Sequence, residues 1–231
     1  MKVALVTVAS GDRYVRYGHE MLASAGELFL RDSGAELLPL MLDGREDWPA
    51  ATMERYHVIV EHADQLKDAS HVFHIDADMR FVAPVGREVL APLVGTAHPG
   101  YVGRRGTYEG RPESAAYVSP AEGSIYYCGG FLGGEREEFL RLADAIRSGV
   151  DVDARRGITA VWHDESHLNR YFVDRSPDVT LSPSYCYPAD DKTYIRKIWP
   201  ERYEPKIVAL KKPRLIQWGH HRLPRRHRSS R

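Results

Sequence analysis

The chain has 231 residues, 43% of them hydrophobic and 28% charged, with 32 Lys and Arg against 32 Asp and Glu. This is ordinary globular usage, long enough to bury a core of its own. A formal net charge of +0 excludes steering of the whole molecule to nucleic acid or an anionic membrane, and no stretch approaches the ~20 apolar residues that span a bilayer.

The first strand candidate is residues 2–10, KVALVTVAS, a β-branched run closed by Ser10, Gly11 and Asp12. Its apolar run is too short for a secretory signal peptide, so the expectation is a soluble, cytoplasmic protein. Residues 13–33 carry apolar residues at helical spacing and stop before Gly34. Residues 35–42 (AELLPLML) read as a second strand, 51–66 (ATMERYHVIVEHADQL) as a helix and 71–75 (HVFHI) as a third strand. This alternation predicts a parallel sheet with crossover helices. The loops after the first and third strands then share the carboxyl edge, where open α/β sheets bind nucleotides. Between Gly95 and Gly134, glycine and tyrosine interleave, as in HPGYVGRRGTYEGRPES and EGSIYYCGGFLGG. That texture predicts long loops and short strands shaping a pocket. Residues 135–157 form an amphipathic helix, 158–176 a helix or a turn and helix, and 180–188 an extended stretch. Residues 196–231 hold twelve Lys and Arg against Glu201 and Glu204, a basic arm on an acidic body. Such an arm suits a cover over something anionic. The final RRHRSSR reads as disordered.

Three motifs carry chemistry. In HVFHIDADMRF, Asp76 and Asp78 flank Ala77 at the end of an apolar strand. Their oxygens would suit Mg²⁺, Mn²⁺ or Ca²⁺, with substrate phosphates completing the shell. The alternative is a turn or cap pair that holds no ligand. In VWHDESHLN, His163 and His167 have i, i+4 spacing, but Asp164 beside the first His breaks the H-E-x-x-H zinc pattern. Asp164 and Glu165 read better as hydroxyl-binding and charge-stabilising carboxylates, the alternative being a solvated helix start. YYCGGFLGG lacks both phosphate-loop spacings, and its glycines let backbone approach a ligand. The two cysteines, Cys128 and Cys186, lack metal spacing and read as reduced thiols or as a single disulfide.

The blocks HIDADMRF, TAHPGYVG, TYEGRPES, EGSIYYCGGFLGG and AVWHDESHLNRY occur in this order. Together with TVASGDRYV and WPAATMERY they resemble glycosyltransferase family 6, the ABO histo-blood-group and α1,3-galactosyltransferase family, over about residues 3–215. The resemblance implies a single-domain GT-A fold of α/β class with a mixed, mostly parallel central sheet. Its nucleotide-binding half would be residues 1–80, its donor-sugar and acceptor half 81–195, and a basic segment, 196–215, would close on UDP; 216–231 would be tail. It implies a retaining transferase moving GalNAc or Gal from a UDP-sugar to O3 of a galactose-containing, often fucosylated acceptor. By position, Asp76 and Asp78 would hold Mn²⁺ (or Mg²⁺) on the diphosphate. Ala9, Ser10, Gly11 and Tyr14 would cradle uridine, and Arg55 would lie near the donor sugar. Asp164 would bind donor hydroxyls, and Glu165 would lie beneath the anomeric carbon. Cys128, Gly129 and Gly130 would line the donor-sugar pocket, where a glycine at 130 favours UDP-GalNAc over UDP-Gal. His98, Thr107 and Trp162 would face the acceptor, and Lys211 or Lys212 would close over the diphosphate.

Compared with the vertebrate members, the expectation here is a bacterial- or phage-like enzyme without membrane anchor or stem. The two carboxylates, kept where bacterial relatives often carry N-x-N, predict metal dependence. Competing readings are a GT-A transferase of different linkage or donor, a non-catalytic carbohydrate-binding protein and a zinc hydrolase. Nothing in the sequence speaks to oligomeric state.

Overall fold

The structure is a computed structural model that describes residues 1–45, 50–189 and 203–210. Its centre is a six-stranded sheet in the order β2-β1-β3-β6-β5-β7. The strands are β1 (Lys2–Ala9), β2 (Glu36–Asp43), β3 (His71–Ile75), β5 (Leu93–Ala97), β6 (Tyr127–Glu135) and β7 (Val179–Leu181). The β1/β2, β1/β3 and β5/β7 pairs are parallel, while β6 runs antiparallel to both its neighbours. The expected mixed, mostly parallel sheet is therefore present. A smaller sheet joins β4 (Met79–Phe81), β9 (Ile207–Ala209) and β8 (Tyr187–Pro188).

Side-chain alternation explains why the strands read as continuous apolar runs. Val3 and Leu5 of β1 face one layer, with α1 (Gly11–Leu28), β4 and β9. Ala4 and Val6 face the opposite layer, built from α2 (Ala50–Glu61), α3 (Arg136–Arg155) and α4 (Asp164–Asp174). A strand covered on both faces has no polar side to show. The first helix ends at Leu28, short of Gly34, because Leu30 takes φ 55° and a 3-10 turn follows.

The glycine-rich stretch read as loop and short strand contains the long strand β6. Its second glycine pair serves packing. Gly133 lies opposite Phe73 in β3, and a Cβ there would come within 2.3 Å of Phe73 Cδ1 and 2.5 Å of the Val72 carbonyl. A Cβ on Gly134 would lie 2.2 Å from the Pro92 carbonyl. Only glycine lets β3, β5 and β6 approach this closely.

The consequence for the site is topological. The carboxyl ends of β1 and β3 share one edge of the sheet, and the antiparallel β6 brings its amino end to that same edge. The Asp76 amide donates to the Gly130 carbonyl at 3.0 Å. Gly133→Ala is expected to destabilise the fold by about 1–3 kcal/mol through overpacking, read as a lowered denaturant midpoint. Gly129→Ala, whose Cβ meets only Glu165 Oε2 at 3.8 Å, should leave the unfolding free energy within about 0.5 kcal/mol of the parent.

Candidate active site

The two acidic motifs are brought together by a side chain from α2. The Arg55 guanidinium reaches Asp76 Oδ1 through Nη1 at 2.5 Å and Asp164 Oδ2 through Nε at 3.0 Å. Asp76 lies at the end of β3 and Asp164 opens α4, so three elements meet on one cation. His74, buried in β3, adds its Nε2 at 3.0 Å from the same Nη1. Burial pushes His74 below its ordinary value, so the ring is neutral and Nε2 accepts from Arg55. Burial opposes the charge on Arg55 too, but Asp164 and Asp76 outweigh it and raise its pKa.

The Asp76–Asp78 pair does not sit inside a strand. β3 ends at Ile75, and the Met79 amide donates to the Asp76 carbonyl at 3.1 Å, closing a tight turn into β4. The turn and ligand-site readings are therefore compatible. Asp78 and Ala77 are buried, while the Asp76 carboxylate keeps 29% exposure and so opens to the cleft. The Asp78 carbonyl accepts from Leu210, the last described residue of the C-terminal segment, at 2.8 Å. Lys211, Lys212, residues 196–202 and the tail 216–231 lie outside the described residues.

Glu165 is held by backbone. Its Oε2 accepts from the Gly129 amide at 2.9 Å. Asn169, one turn along α4, clamps the helix to β6: its Oδ1 accepts from the Tyr127 amide and its Nδ2 donates to the Tyr127 carbonyl, both at 2.8 Å. Nδ2 also donates to the Glu165 carbonyl at 2.8 Å. Ahead of α4, His163 takes φ 52°, a costly backbone for a side-chain-bearing residue. That turn sends Asp164 and Glu165 into the first helical turn.

The electrostatics show a surplus of negative charge. Burial pushes the Asp164 carboxyl up to about 7; Asp76 and Glu165 push the same way and Arg55 opposes them. Burial also pushes Glu165 up to about 7, against the Gly129 amide and the Tyr126 phenol, which favour its carboxylate. One guanidinium thus faces three carboxylates. Among the described residues no group of three His, Cys, Asp or Glu forms a metal site. The oxygen-only pair Asp76 and Asp78, beside this unbalanced charge, does fit a divalent cation that takes its remaining ligands from a diphosphate. The His163/His167 zinc reading does not fit: His167 is buried with its Nε2 3.5 Å from Asp153 Oδ2.

The other expected residues fall around this cluster. Ala9 is buried at the end of β1, Ser10 caps α1, and Gly11 begins the helix at φ 70°, with Tyr14 half-buried in the first turn. A Cβ on Gly130 would meet Cys186 Sγ at 3.2 Å, Met79 Cε at 3.5 Å and Asp76 Oδ2 at 3.7 Å. Cys128 lies two residues away on the same face of β6, and both thiols are free. His98 Nδ1 accepts from the Gly100 amide at 2.9 Å, and its ring packs on Tyr101 and Tyr126. Thr107 Oγ1 accepts from the Tyr101 hydroxyl at 2.8 Å, and Trp162 packs on the Tyr108–Val118–Tyr126 cluster. The three therefore share one aromatic wall centred on Tyr101 and Tyr126.

Sequence reasoning missed His74, Asn169, Tyr126 and Cys186. A polar residue inside an apolar strand (His74) and an amide on the buried face of a helix (Asn169) were the available signals.

Comparison with known proteins points the same way as the sequence motifs. The family model described as Glycosyltransferase family 6 matches residues 29–202. The chain is 39% identical over 160 residues to the rat Histo-blood group ABO system transferase 1, covering 67% of this chain and 46% of that protein. It is 30% identical over 213 residues to the human Globoside alpha-1,3-N-acetylgalactosaminyltransferase 1, covering 81% and 61%. Against the mouse counterpart it is 31% identical over 232 residues, covering 89% and 63%. The chain thus spans about half to two thirds of the length of these relatives. Among the described residues no helix is long and apolar enough to cross a membrane.

Glu165→Gln isolates the cost of the buried charge. The folded pKa of about 7 exceeds the ordinary carboxylate value, so the stabilising proton is fully present below the unfolded pKa. It is lost as pH rises through 7. Gln keeps an oxygen for the Gly129 amide and never ionises. Its Tm should exceed that of the parent at pH 8 by about 2–4 °C per kcal/mol relieved, and the two should converge near pH 5.

Proposed function

The chain belongs to glycosyltransferase family 6, and on that premise we propose that it is a retaining α1,3-glycosyltransferase. It would take GalNAc, or less readily Gal, from a UDP-sugar to a galactose-containing acceptor. The observation that carries this reading is the convergence of Arg55, Asp76, Asp164 and Glu165 beside the Gly129–Gly130 edge of β6.

In this reading the loop from Ala9 to Tyr14 holds uridine, and the diphosphate lies over the Asp76–Asp78 turn. Asp76 and Asp78 would hold a divalent cation, which would supply charge neutralisation to the departing UDP. Asp164, oriented by Arg55, accepts hydrogen bonds from donor-sugar hydroxyls. As the C1–oxygen bond breaks, its electron pair leaves with UDP and positive character develops on the sugar. The Glu165 carboxylate, fixed by the Gly129 amide, stabilises that charge from the opposite face. The acceptor O3 then bonds to C1, and its proton passes to a departing phosphate oxygen. His98, Thr107 and Trp162 hold the acceptor. Leu210 donates to the Asp78 carbonyl, and Lys211 and Lys212, next in the sequence, would supply positive charge to the diphosphate.

The test is transfer from UDP-GalNAc and UDP-Gal to a β-galactoside, with the product anomer assigned by NMR. An α-linked product, formed with Mn²⁺ and lost in excess EDTA, is expected; full activity in EDTA overturns the metal, and a β product overturns retention. Glu165→Gln should lower kcat by about a hundredfold or more. Activity should fall as pH drops through 7, because the carboxylate is the working form and its pKa is about 7.

Donor choice has its own readout. A methyl group at Gly130 would press on Cys186 Sγ and approach Asp76 Oδ2. Gly130→Ala is therefore expected to lower the ratio of GalNAc to Gal transfer by about tenfold, within the range that one methyl is worth in a pocket. An unchanged ratio removes Gly130 from donor selection.

A further inference from the structure

Two of the residues expected to face the acceptor lie outside helix and strand. Thr107 opens a loop, residues 107–118, and Trp162 sits in the short segment 159–163 that leads into α4. Such backbone has no ladder of its own, so its polar groups need other partners. One buried carboxylate, Glu109, joins the loop to the segment.

Glu109 is 2% exposed. Its Oε1 accepts from the Arg111 amide and from Arg111 Nε, both at 2.9 Å. Its Oε2 accepts from Arg111 Nη2 at 2.7 Å and, across to the other segment, from the Val161 amide at 2.8 Å. Arg111 Nη2 also donates to the Thr159 carbonyl at 2.6 Å. The segment ahead of α4 is thus gripped at an amide and at a carbonyl. A buried carboxylate is costly unless its lone pairs are filled, and among neutral side chains none offers as many acceptor sites. Burial opposes the charge on Glu109, but the Arg111 side chain and the Arg111 and Val161 amides outweigh it and hold the group down at about 2.

The grip falls on the acceptor wall. Tyr108, next to Glu109 in the chain, packs with Val118 and Tyr126, and Trp162, next to Val161, packs on that cluster. The Glu109 carbonyl accepts from the Val118 amide at 2.9 Å, closing the neck of the loop. From Val161 the chain runs through Trp162 and the strained His163 directly to Asp164.

Both sides of this grip have supports of their own. On the donor side, Arg55 bridges Asp76 and Asp164, and the Gly129 amide holds Glu165. On the loop side, Asp153 of α3 accepts from the Ala115 amide at 2.6 Å and from the Ser114 hydroxyl. What Glu109 adds is the relation between the two.

We infer that Glu109 is a positioning residue: with Arg111 it holds the acceptor wall in register with Asp164 and Glu165, so that an acceptor hydroxyl rather than water reaches the sugar carbon. The inference rests on the transferase reading above and adds what governs its choice between acceptor and water. A displacement of about 1 Å at a distance from the chemistry can cost about a hundredfold in rate.

The experiment measures transfer to a β-galactoside, and hydrolysis of the same UDP-sugar without acceptor, on the parent, Glu109→Gln and Arg111→Gln. A Gln at 109 keeps one oxygen and turns an NH₂ toward donors that the carboxylate accepted from. The Arg111 side chain is 49% exposed, so its loss threatens the fold less. In Glu109→Gln, transfer kcat should fall about tenfold or more and acceptor KM should rise. Hydrolysis and UDP affinity should stay near those of the parent, so the ratio of transfer to hydrolysis falls. Arg111→Gln should move that ratio the same way by less, and Arg111→Lys, which keeps the charge without the fork, should recover part of it. A carboxylate that served stability alone would lower transfer and hydrolysis together, in step with the folded fraction. A ratio unchanged in both Gln variants overturns the inference; if Glu109→Gln does not fold, Arg111→Gln decides by itself. The parent separates the failures. A parent that transfers and hydrolyses, with a ratio the variants leave unchanged, overturns the positioning role alone. A parent that does neither overturns the transferase reading with it.

Discussion

One guanidinium sets the geometry of this protein's acidic centre. Asp76 comes from the turn after β3, and Asp164 comes from the start of α4, 88 residues later in the chain. Left to themselves, these carboxylates and the neighbouring Glu165 repel one another in a poorly solvated place. Arg55 bridges the first two, and a bidentate guanidinium can do so where a lysine ammonium has no matching fork. Removing one partner of such a buried group strands the others, which commonly costs about 3–5 kcal/mol. Burial, with the remaining charge imbalance behind it, raises Asp164 and Glu165 to about 7. A centre short of positive charge is suited to a cationic metal, a basic chain segment and an electron-poor sugar carbon.

The supports around that centre are rigid and mostly backbone. Asn169 locks α4 to β6 by bonding both the amide and the carbonyl of Tyr127. That lock places Glu165 against the Gly129 amide. The strained backbone at His163 lies one residue before Asp164, and such strain costs on the order of 1–3 kcal/mol. It is tolerated because the packed α4, buried at Leu168 and Phe172, over-determines the turn. β6 divides its labour along its length. Gly133 and Gly134 give up side chains so that three strands can close, while Gly129 and Gly130 give them up at the cleft.

The sequence was most legible where one period dominated. β1 and β3 are continuous apolar runs because both of their faces are covered, and the helices α1 and α3 show a buried stripe. The D-A-D and W-H-D-E-S-H motifs announced carboxylates too costly to bury idly, and ordered motifs along the chain pointed to the family. β6 was illegible as a strand, since four of its nine residues are glycine and glycine carries no periodicity. His74 and Asn169 were illegible as site residues because their roles depend on partners distant in sequence.

The sequence by itself determined the inventory: an α/β chain, two acidic motifs, a glycine-rich segment and a basic C-terminal end. These follow from composition and local period, which need no partner to be read. Only the tertiary structure decided that β6 runs antiparallel and so delivers its glycines to the edge where β3 ends. Only it decided that Asp76 and Asp78 occupy a turn, and that Arg55 is their bridge to α4. Strand direction and side-chain convergence are set by pairing across long stretches of chain, and no local spacing encodes them.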